Sequence, residues 1–368
     1  MTHAIRFGSA NLRFGVRSDA LVGCVFGDGA AIRWAASEAR PMDASVTLRP
    51  VDGVHVTTLI DNYTDVLLPD EGPIRRWGAV GSGGRAAPVP DTISVTGQTV
   101  DGLRAEHGFS ALVELRVGGA VRRILFDAGV TPDGLIGNLD RLELRPDSFE
   151  SIVFSHGHFD HVMGLEGVIR RLGRTSMPVY LHPDFWRQRR LVSGPDQAFE
   201  MPIPSRAAIE GIGFEIIEGR QPSYLLDGML LVTGEVDRTV PFEQGIPNHQ
   251  AFVDGAWEPD PLIHDDQAMV LHVAGKGLVI LTGCGHAGVV NIVRYAKRLT
   301  GVSEVYAVLG GFHLRAGPVV DETVTALAAE RPALLVPSHC TSWQAQQALA
   351  TAMPAATRPN TVGTRFEL

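Results

Sequence analysis

Four side chains that commonly bind metal ions occur within six consecutive residues near the middle of the chain. Imidazole nitrogens and carboxylate oxygens are ligands of zinc and similar transition metals, and a loop can point alternate side chains at two separate ions. Histidine accounts for only 13 of the 368 residues, so chance rarely produces this spacing. We interpret the motif as a metal-binding loop in which His156 and His158 bind one ion, and Asp160 and His161 bind the other.

Apolar residues on both sides of the motif predict the elements that position it. Residues 151–154 are short, apolar and β-branched, which is typical of a buried strand. Within residues 162–170 the apolar positions recur every three or four residues, which predicts a helix. The four candidate ligands therefore lie where a strand ends and a helix begins.

The sequence SHGHFDHVMGL at residues 155–165 resembles the signature of the metallo-β-lactamase fold superfamily. Three later motifs, LTGCGHAG at 281–288, GGFHL at 310–314 and PSHCT at 337–341, resemble one branch of it, the 7,8-dihydropterin-6-methyl-4-(β-D-ribofuranosyl)aminobenzene 5'-phosphate synthase-like proteins. The resemblance covers roughly residues 50–368. It implies an α/β protein of the αββα sandwich type, in which two mixed sheets are flanked by helices.

A catalytic ion takes about three protein ligands and keeps one position open, so each ion needs a ligand from elsewhere in the chain. His286 is flanked by glycines at a predicted strand-to-helix turn, and with the support of the branch resemblance it is expected to complete the first ion. His339 lies at the end of another predicted strand and is expected to complete the second.

Cys284, His313 and Asp127 have roles that are predicted with less direct support from the residues. The superfamily resemblance implies a bridging Asp near residue 284, where Cys284 stands instead; its thiolate could bind a metal, or the side chain could simply be small and buried. His313 follows a predicted strand and is expected to donate a proton or hydrogen bond to substrate. The resemblance implies that Asp127 orients a metal-binding histidine.

Composition excludes several classes of function. Hydrophobic residues make up 45% and charged residues 20%, as in soluble globular proteins, and no apolar run approaches the roughly 18 residues of a bilayer span. We therefore expect no membrane association. The net charge of -9 argues against a nucleic-acid partner. Three cysteines far apart in sequence fit a reducing compartment, and without a recognisable targeting segment the expectation is a cytoplasmic protein.

The pattern predicts one catalytic domain, residues 51–368, after an N-terminal extension, residues 1–50, whose role is unknown and which could mediate homo-oligomerisation. Within the domain, strand and helix patterns alternate in two half-sets, as two sheets flanked by helices require. A Gly-, Pro- and Arg-rich segment at 70–100 is predicted to be a flexible loop over one edge of the site.

Two further proline-rich stretches, residues 194–205 and 234–261, are predicted to be irregular. The second is either an inert insertion or the source of substrate specificity. The side chains in it that could contact substrate are Phe242, Gln244, Asn248, His249 and Trp257.

The predicted function is that of a metal-dependent hydrolase, in which a metal-bound hydroxide attacks a small-molecule ester, lactone, amide or phosphoester that could be anionic. Zinc lowers the pKa of bound water to about 7, and two zinc ions are expected, with iron or manganese as alternatives. Asp160 would orient the hydroxide or accept its proton. The glycine-rich turn at 282–288, at the start of a predicted helix, could hold a phosphate or carboxylate of the substrate.

Three alternatives remain open. The branch resemblance implies a pterin-pathway synthase-type reaction on a phosphorylated substrate. The same scaffold could hold a di-iron oxidoreductase centre, although the histidine-rich ligand set favours zinc over iron. The protein could also be a non-catalytic, ligand-binding member of the fold.

Overall fold

The computed structural model describes residues 47–78, 86–88, 94–95 and 97–368. The predicted N-terminal extension lies outside the described residues except for residues 47–50, of which Leu48 is buried in the core. Much of the predicted loop at 70–100 also lies outside them, namely residues 79–85, 89–93 and 96.

Twenty strands and seven α-helices are formed by the described residues. The strands are β1 (Gly53–Ile60), β2 (Ile74–Arg75), β3 (Ala86–Pro88), β4 (Gln98–Val100), β5 (Ser110–Val117), β6 (Ala120–Phe126), β7 (Ser151–Val153), β8 (Pro178–Leu181), β9 (Arg189–Gly194), β10 (Gln197–Glu200), β11 (Glu215–Glu218), β12 (Ser223–Leu225), β13 (Leu230–Val232), β14 (His249–Val253), β15 (Ala256–Pro259), β16 (Met269–Val273), β17 (Gly277–Thr282), β18 (Val305–Gly311), β19 (Leu334–Ser338) and β20 (Arg365–Glu367). The α-helices are α1 (Pro132–Arg141), α2 (Phe159–Val162), α3 (Leu165–Leu172), α4 (Arg206–Ile212), α5 (Val289–Thr300), α6 (Pro318–Glu330) and α7 (Trp343–Ala352). Two short 3-10 helices cover Pro146–Ser148 and Pro183–Trp186.

Two large mixed sheets contain most of the strands. The first has eight strands in the order β11-β8-β7-β6-β5-β1-β20-β2, and the second has six in the order β12-β13-β16-β17-β18-β19. β6, β7 and β8 run parallel to one another, as do β17, β18 and β19. The remaining neighbours in the two sheets are antiparallel, except for the parallel pair of β8 and β11.

Three hydrophobic cores show how the sheets and helices are layered. One core lies between the two sheets and includes Val113 of β5 and Leu281 of β17. Ile280, which points to the other face of β17, packs with α5, α6 and α7 in a second core. Leu112, on the other face of β5, packs with α1, α3 and α4 in a third. The layers are therefore helices, sheet, sheet and helices, and the predicted αββα sandwich is confirmed.

Burial on both faces explains why the parallel strands of the second sheet were recognisable in the sequence. Every residue of β17 and of β19 is buried, so these segments are nearly continuous apolar runs. Helix α5 shows the complementary pattern, since its buried residues include Val289, Ile292 and Val293, spaced by three and four residues. It ends where Gly301 adopts the left-handed conformation.

The prediction that residues 194–205 and 234–261 are irregular is wrong in part, since residues 201–205 and 234–248 are irregular but strands form within the rest. The two segments contribute β10, β14 and β15 to a small four-stranded sheet, in the order β10-β9-β14-β15. All four residues of β10 are exposed, and β15 has none that is fully buried. Neither segment therefore has the apolar alternation by which a half-buried strand is recognised. We call β9, β10, β14 and β15 the small sheet.

No helix in the described part of the chain combines the length and apolar character that crossing a bilayer would require.

Candidate metal centre

The candidate ligands lie on segments that follow parallel strands of both sheets. Asp127 follows β6, and the motif loop follows β7 and continues into α2. On the other side Cys284 and His286 follow β17, His313 follows β18 and His339 follows β19. Because the carboxyl ends of parallel strands lie at one edge of a sheet, two facing sheets bring these loops together.

The structure groups most of the predicted ligands into two overlapping sets. One set contains four residues, Asp160, His161, Cys284 and His339, and the other contains three, His156, Cys284 and His286. Within each set the potential ligand atoms lie within 4.8 Å of one another, and all the residues are buried. Cys284 belongs to both sets, which is the position a bridging ligand would occupy.

The distances between these atoms fit a metal coordination shell. His156 Nε2 is 3.1 Å from His286 Nε2. His161 Nε2 is 3.1 Å from Cys284 Sγ. His339 Nε2 is 3.3 Å from an Asp160 carboxylate oxygen. Ligand atoms bound at about 2.0–2.3 Å in a tetrahedral site lie about 3.3–3.8 Å apart, so small adjustments would admit an ion to each set.

Hydrogen bonds on the motif side leave the Nε2 atoms of two histidines free to bind a cation. Ser155 Oγ donates to a carboxylate oxygen of Asp127 at 2.7 Å, so it accepts the hydrogen of His156 Nδ1 at 2.9 Å. His161 Nδ1 donates to the same Asp127 oxygen at 2.7 Å. Each ring therefore carries its hydrogen on Nδ1 and presents a lone pair on Nε2. The contact predicted for Asp127 is present in the structure.

Asp61 and Asn62, at the end of β1, hold the main chain on the opposite side. The Asp61 carboxylate accepts a hydrogen bond from the His339 amide at 3.0 Å, and the Asn62 side chain donates to the His339 carbonyl at 2.7 Å. His339 adopts a left-handed backbone with φ of 43°. Such conformations are costly for residues other than glycine and often occur at functional sites.

Burial gives three of the histidines the protonation state that metal binding needs. It lowers the pKa of His156, His158 and His286 well below the usual value, so these rings are neutral near pH 7. Burial alone would raise the pKa of Asp160, but the neighbouring His161 and His339 hold it below its usual value. Burial raises the pKa of the Cys284 thiol, and a bound cation would be needed to favour its thiolate.

His158 is the one predicted ligand outside both sets. Its ring lies close to those of His156 and His286, with centroids 4.5 and 4.8 Å away. Its Nε2, however, faces His249 Nε2 at 3.0 Å. His249 belongs to the stretch that is predicted to be either an inert insertion or the source of specificity, and it is the first residue of β14, beside the metal loop.

His313 lies beside the ligand set that contains His286, and the centroids of the two rings are 4.3 Å apart. Neither of its ring nitrogens has a hydrogen-bond partner among the described residues. One ring nitrogen lies within 4.8 Å of the thiols of Cys284 and Cys340, so His313 also belongs to a possible ligand group. Its predicted role as a proton or hydrogen-bond donor to substrate stays a prediction.

Sequence reasoning did not identify His107 and Cys340, which form a further possible ligand group with Asp160 and His339. The position of Cys340 next to His339 was a usable signal. His107 lies in a short connection before β5, and its sequence surroundings gave no signal. Cys284 and Cys340 are both free cysteines.

The start of α5, where a substrate anion was expected, is occupied by a carboxylate of the protein itself. Glu243 accepts hydrogen bonds from the amides of Val290 and Asn291, both at 2.8 Å. These amide groups are therefore already satisfied, because residues 234–261 fold back over the helix start.

A buried arginine connects the small sheet to the metal loop. Arg189, on β9, is only 1% exposed and contacts the carboxylates of Asp260 at 3.1 Å and Asp265 at 2.5 Å. Asp265 in turn accepts a hydrogen bond at 2.8 Å from the amide of Gly157, between the first two histidines of the motif. The charge of Arg189 thus compensates two buried carboxylates.

A family model described as "Metallo-beta-lactamase superfamily" matches residues 104–299. The chain belongs to this superfamily, as predicted.

Two curated proteins of Methanocaldococcus jannaschii are similar to the chain. One, named 7,8-dihydropterin-6-methyl-4-(beta-D-ribofuranosyl)-aminobenzene-5'-phosphate synthase, is 28% identical over 66% of this chain and 83% of its own length. The other, the uncharacterized protein MJ0448, is 35% identical over 66% of this chain and 86% of its own length. These relatives agree with the branch that the motifs resemble.

Among solved structures the chain resembles Tm1679, described as a metal-dependent hydrolase of the beta-lactamase superfamily. The TM-score is 0.62 and the identity 19%, over 86% of this chain and 99% of the other. At this identity the likeness shows the shared fold.

Proposed function

We propose that the protein is a metal-dependent hydrolase with two zinc ions, acting on a small molecule. The observation that carries the proposal is the convergence of six buried side chains, contributed by both sheets, next to a cavity of about 470 Å³. Cavities of roughly 300–1,000 Å³ are typical of small-molecule sites. The six residues are His156, Asp160, His161, Cys284, His286 and His339.

The side chains of the site have different roles in the proposed reaction. Zinc, when bound, lowers the pKa of water to about 7 and so supplies a nucleophile at neutral pH. Cys284 and the histidines hold the ions, and Asp160 orients the attacking water through the oxygen near His339. His313, which lines the cavity, donates a hydrogen bond or proton to the leaving group.

The cavity favours a substrate with an apolar body and an anionic end. Of the described residues that line it, Arg315 is the only Lys or Arg, and it also lines an adjoining cavity of about 320 Å³. Among the described residues Arg315 has no ion-pair partner, so its charge is available to a substrate carboxylate or phosphate. The apolar wall is formed by Phe159, Leu191, Phe199, Met201 and Leu314.

Metal analysis and a substrate panel test this proposal. Purified protein should contain zinc and hydrolyse at least one member of a panel of 4-nitrophenyl esters, lactones and phosphodiesters. A chelator should abolish that activity and zinc should restore it. His156→Ala should lose nearly all activity, whereas His272→Ala, on β16 and outside both ligand sets, should not. Protein that is free of transition metals and indifferent to chelators would overturn the proposal, and stoichiometric iron would favour the oxidoreductase alternative.

Substitution of Cys284 tests the shared thiolate. Because its Sγ belongs to both ligand sets, Cys284→Ala should lose at least one metal equivalent per chain. Metal content is measured after dialysis, with wild-type protein alongside. If the metal content of Cys284→Ala equals that of wild type, Cys284 is not a ligand and only fills space in the core.

A second candidate is a synthase-type reaction on a phosphorylated pterin-linked substrate. It is favoured by the 28% identity to the Methanocaldococcus jannaschii synthase over 83% of that protein. Incubation of the zinc-loaded protein with a ribofuranosylaminobenzene 5'-phosphate and a dihydropterin that carries a leaving group on its 6-methyl carbon, followed by mass spectrometry, tests it, because the new bond to that carbon forms as the leaving group departs and the other substrate loses a proton. Formation of the joined product would replace hydrolysis as the proposed reaction.

A further inference from the structure

Cys340 is a free cysteine that lines the cavity of about 470 Å³, just after β19 and next to His339. Its sulfur lies 3.2 Å from the Nε2 atom of His339. The same nitrogen lies 3.3 Å from a carboxylate oxygen of Asp160. A thiol, an imidazole and a carboxylate therefore meet in the wall of the cavity, close to the spacing of about 3.3–3.8 Å between ligands of one tetrahedral ion.

His107 adds a fourth potential ligand atom. One of its ring nitrogens belongs to a group in which the ligand atoms of His107, Asp160, His339 and Cys340 all lie within 4.8 Å of one another. We call these four residues the Cys340 group. The contact between Cys340 and His339 is thus part of a convergence of four side chains and not an isolated pair.

The His107 ring is oriented as metal-binding histidines usually are. The NH₂ group of Asn62 donates to the His339 carbonyl at 2.7 Å, so the atom of Asn62 that faces His107 Nδ1 at 3.1 Å is its oxygen. An amide oxygen only accepts, so Nδ1 carries the ring hydrogen and Nε2 carries the lone pair. His161 is arranged in the same way by Asp127. An oxygen partner on the second ring nitrogen is typical of a metal ligand.

Hydrogen bonds hold the turn that carries Cys340 on both sides of the residue. Before it, the His339 amide donates to the Asp61 carboxylate at 3.0 Å. After it, the Thr341 hydroxyl oxygen accepts from the Phe312 amide at 3.0 Å, and the Thr341 amide donates to the Ser338 carbonyl at 3.0 Å. The thiol is therefore placed beside His339 by the protein itself.

The Cys340 group also allows two ions to be bound without a shared ligand. It has no residue in common with the set formed by His156, Cys284 and His286. By contrast, the set that contains Asp160, His161, Cys284 and His339 needs the Cys284 sulfur for both ions. Four ligands complete a tetrahedral zinc site, whereas three leave one position open, as in catalytic zinc sites.

We propose that Cys340 and His107 are metal ligands, and that together with Asp160 and His339 they hold the second ion in the wall of the cavity. Thiolate and imidazole ligands favour zinc over hard cations such as magnesium. This inference rests on the proposed metal-dependent function and deepens it by naming the ligands of one ion.

Titration of the apoprotein with cobalt(II) and zinc tests the inference. A thiolate bound to cobalt(II) gives an intense near-ultraviolet absorption that imidazole and carboxylate ligands lack. Cys340→Ser should lower this absorption and weaken one of the two ions at least about 10-fold. His107→Ala should weaken the same ion, and because both act at one ion their losses should not add in the double variant. The matched control is His264→Ala, since His264 pairs with Glu235 at 2.8 Å and does not line the cavity.

The outcomes separate this inference from the proposed function. A wild-type protein that binds no transition metal overturns both. A wild-type protein that binds metal, with Cys340→Ser or His107→Ala unchanged in affinity and spectrum, overturns the inference alone. If the variants do not fold, an anomalous-scattering map of the zinc-loaded wild type decides: an ion about 2.3 Å from Cys340 Sγ supports the inference, and its absence there overturns it.

Discussion

The two sides of the metal centre are held in different ways. On the motif side, the rings of His156 and His161 are fixed by hydrogen bonds to Nδ1. On the opposite side, the Nδ1 atoms of His286 and His339 have no hydrogen-bond partner among the described residues. There the protein holds the main chain instead, as Asp61 does for His339.

This difference predicts different dependence on metal. Side-chain hydrogen bonds fix ring orientation without an ion, so the motif side should be preformed in the apoprotein. A ring without a hydrogen bond to its Nδ1 is oriented less firmly, and it becomes fixed when its Nε2 binds the ion. Substitutions that remove side-chain tethers should therefore act on the motif side first. Four tests of this comparison follow, from the largest expected effect to the smallest.

Arg189→Met should have the largest effect. It leaves the carboxylates of Asp260 and Asp265 buried without their cation, which costs about 3–5 kcal/mol of folding free energy. The loss should appear in urea unfolding of the apoprotein as well as the zinc-loaded protein. Arg190→Met is the matched control, because Arg190 stacks on Trp257 at 4.2 Å and contacts no buried carboxylate. Equal stability of the two variants would contradict the role given to Arg189.

Gly283→Ala should also disturb the motif side, although residue 283 lies on the opposite side. A Cβ at this position would lie 2.0 Å from Ser155 Oγ and 2.7 Å from the Asp127 carboxylate, so the hydrogen bonds that orient His156 would have to shift. Overpacking of this kind costs about 1–3 kcal/mol. Thermal unfolding measures it, with Gly194→Ala as control because a Cβ there meets nothing within 4 Å. If Gly283→Ala were as stable as wild type, residue 283 would not be tightly packed against Ser155 and Asp127.

Asp127→Asn and Asp61→Asn compare the two sides directly. An Asn at 127 can satisfy the Ser155 amide but turns its NH₂ group toward His161 Nδ1, which favours the tautomer with hydrogen on Nε2, where the ion should bind. Metal affinity should fall about 10–100-fold. An Asn at 61 keeps an oxygen for the His339 amide, so affinity should change little. Zinc titration with a competing chelator measures both, and equal losses would refute the contrast.

The motif side was predictable from the sequence because its four residues lie within six consecutive positions and follow a recognisable apolar strand. The sandwich was predictable because buried parallel strands such as β17 are continuous apolar runs. His286 and His339 were found by their positions after predicted strands together with the family resemblance. Each of these signals is local in the sequence.

What could not be predicted depends on contacts between distant segments. The small sheet has few buried residues, so its strands leave little trace in the sequence. His249 meets His158 across 91 positions, and Arg189 meets Asp265 across 76. Glu243 occupies the start of α5 because the chain folds back there. These contacts are determined by tertiary packing, and the spacing of the residues in the sequence does not reveal them.

Arg315→Ala should have the smallest effect. It removes a charge that lines the cavity but none of the hydrogen bonds that hold the two sides of the metal centre. Arg315 is exposed, and an exposed ion pair contributes about 0.2–1 kcal/mol, so KM for an anionic substrate should rise about 1.4- to 5-fold with kcat nearly unchanged. Folding and metal content should stay as in wild type. Arg315→Lys should retain most of the binding, and Arg206→Ala, on α4, is the surface control. A matched neutral substrate should show no change; if its KM rises equally, Arg315 acts on the shape of the cavity and not through its charge.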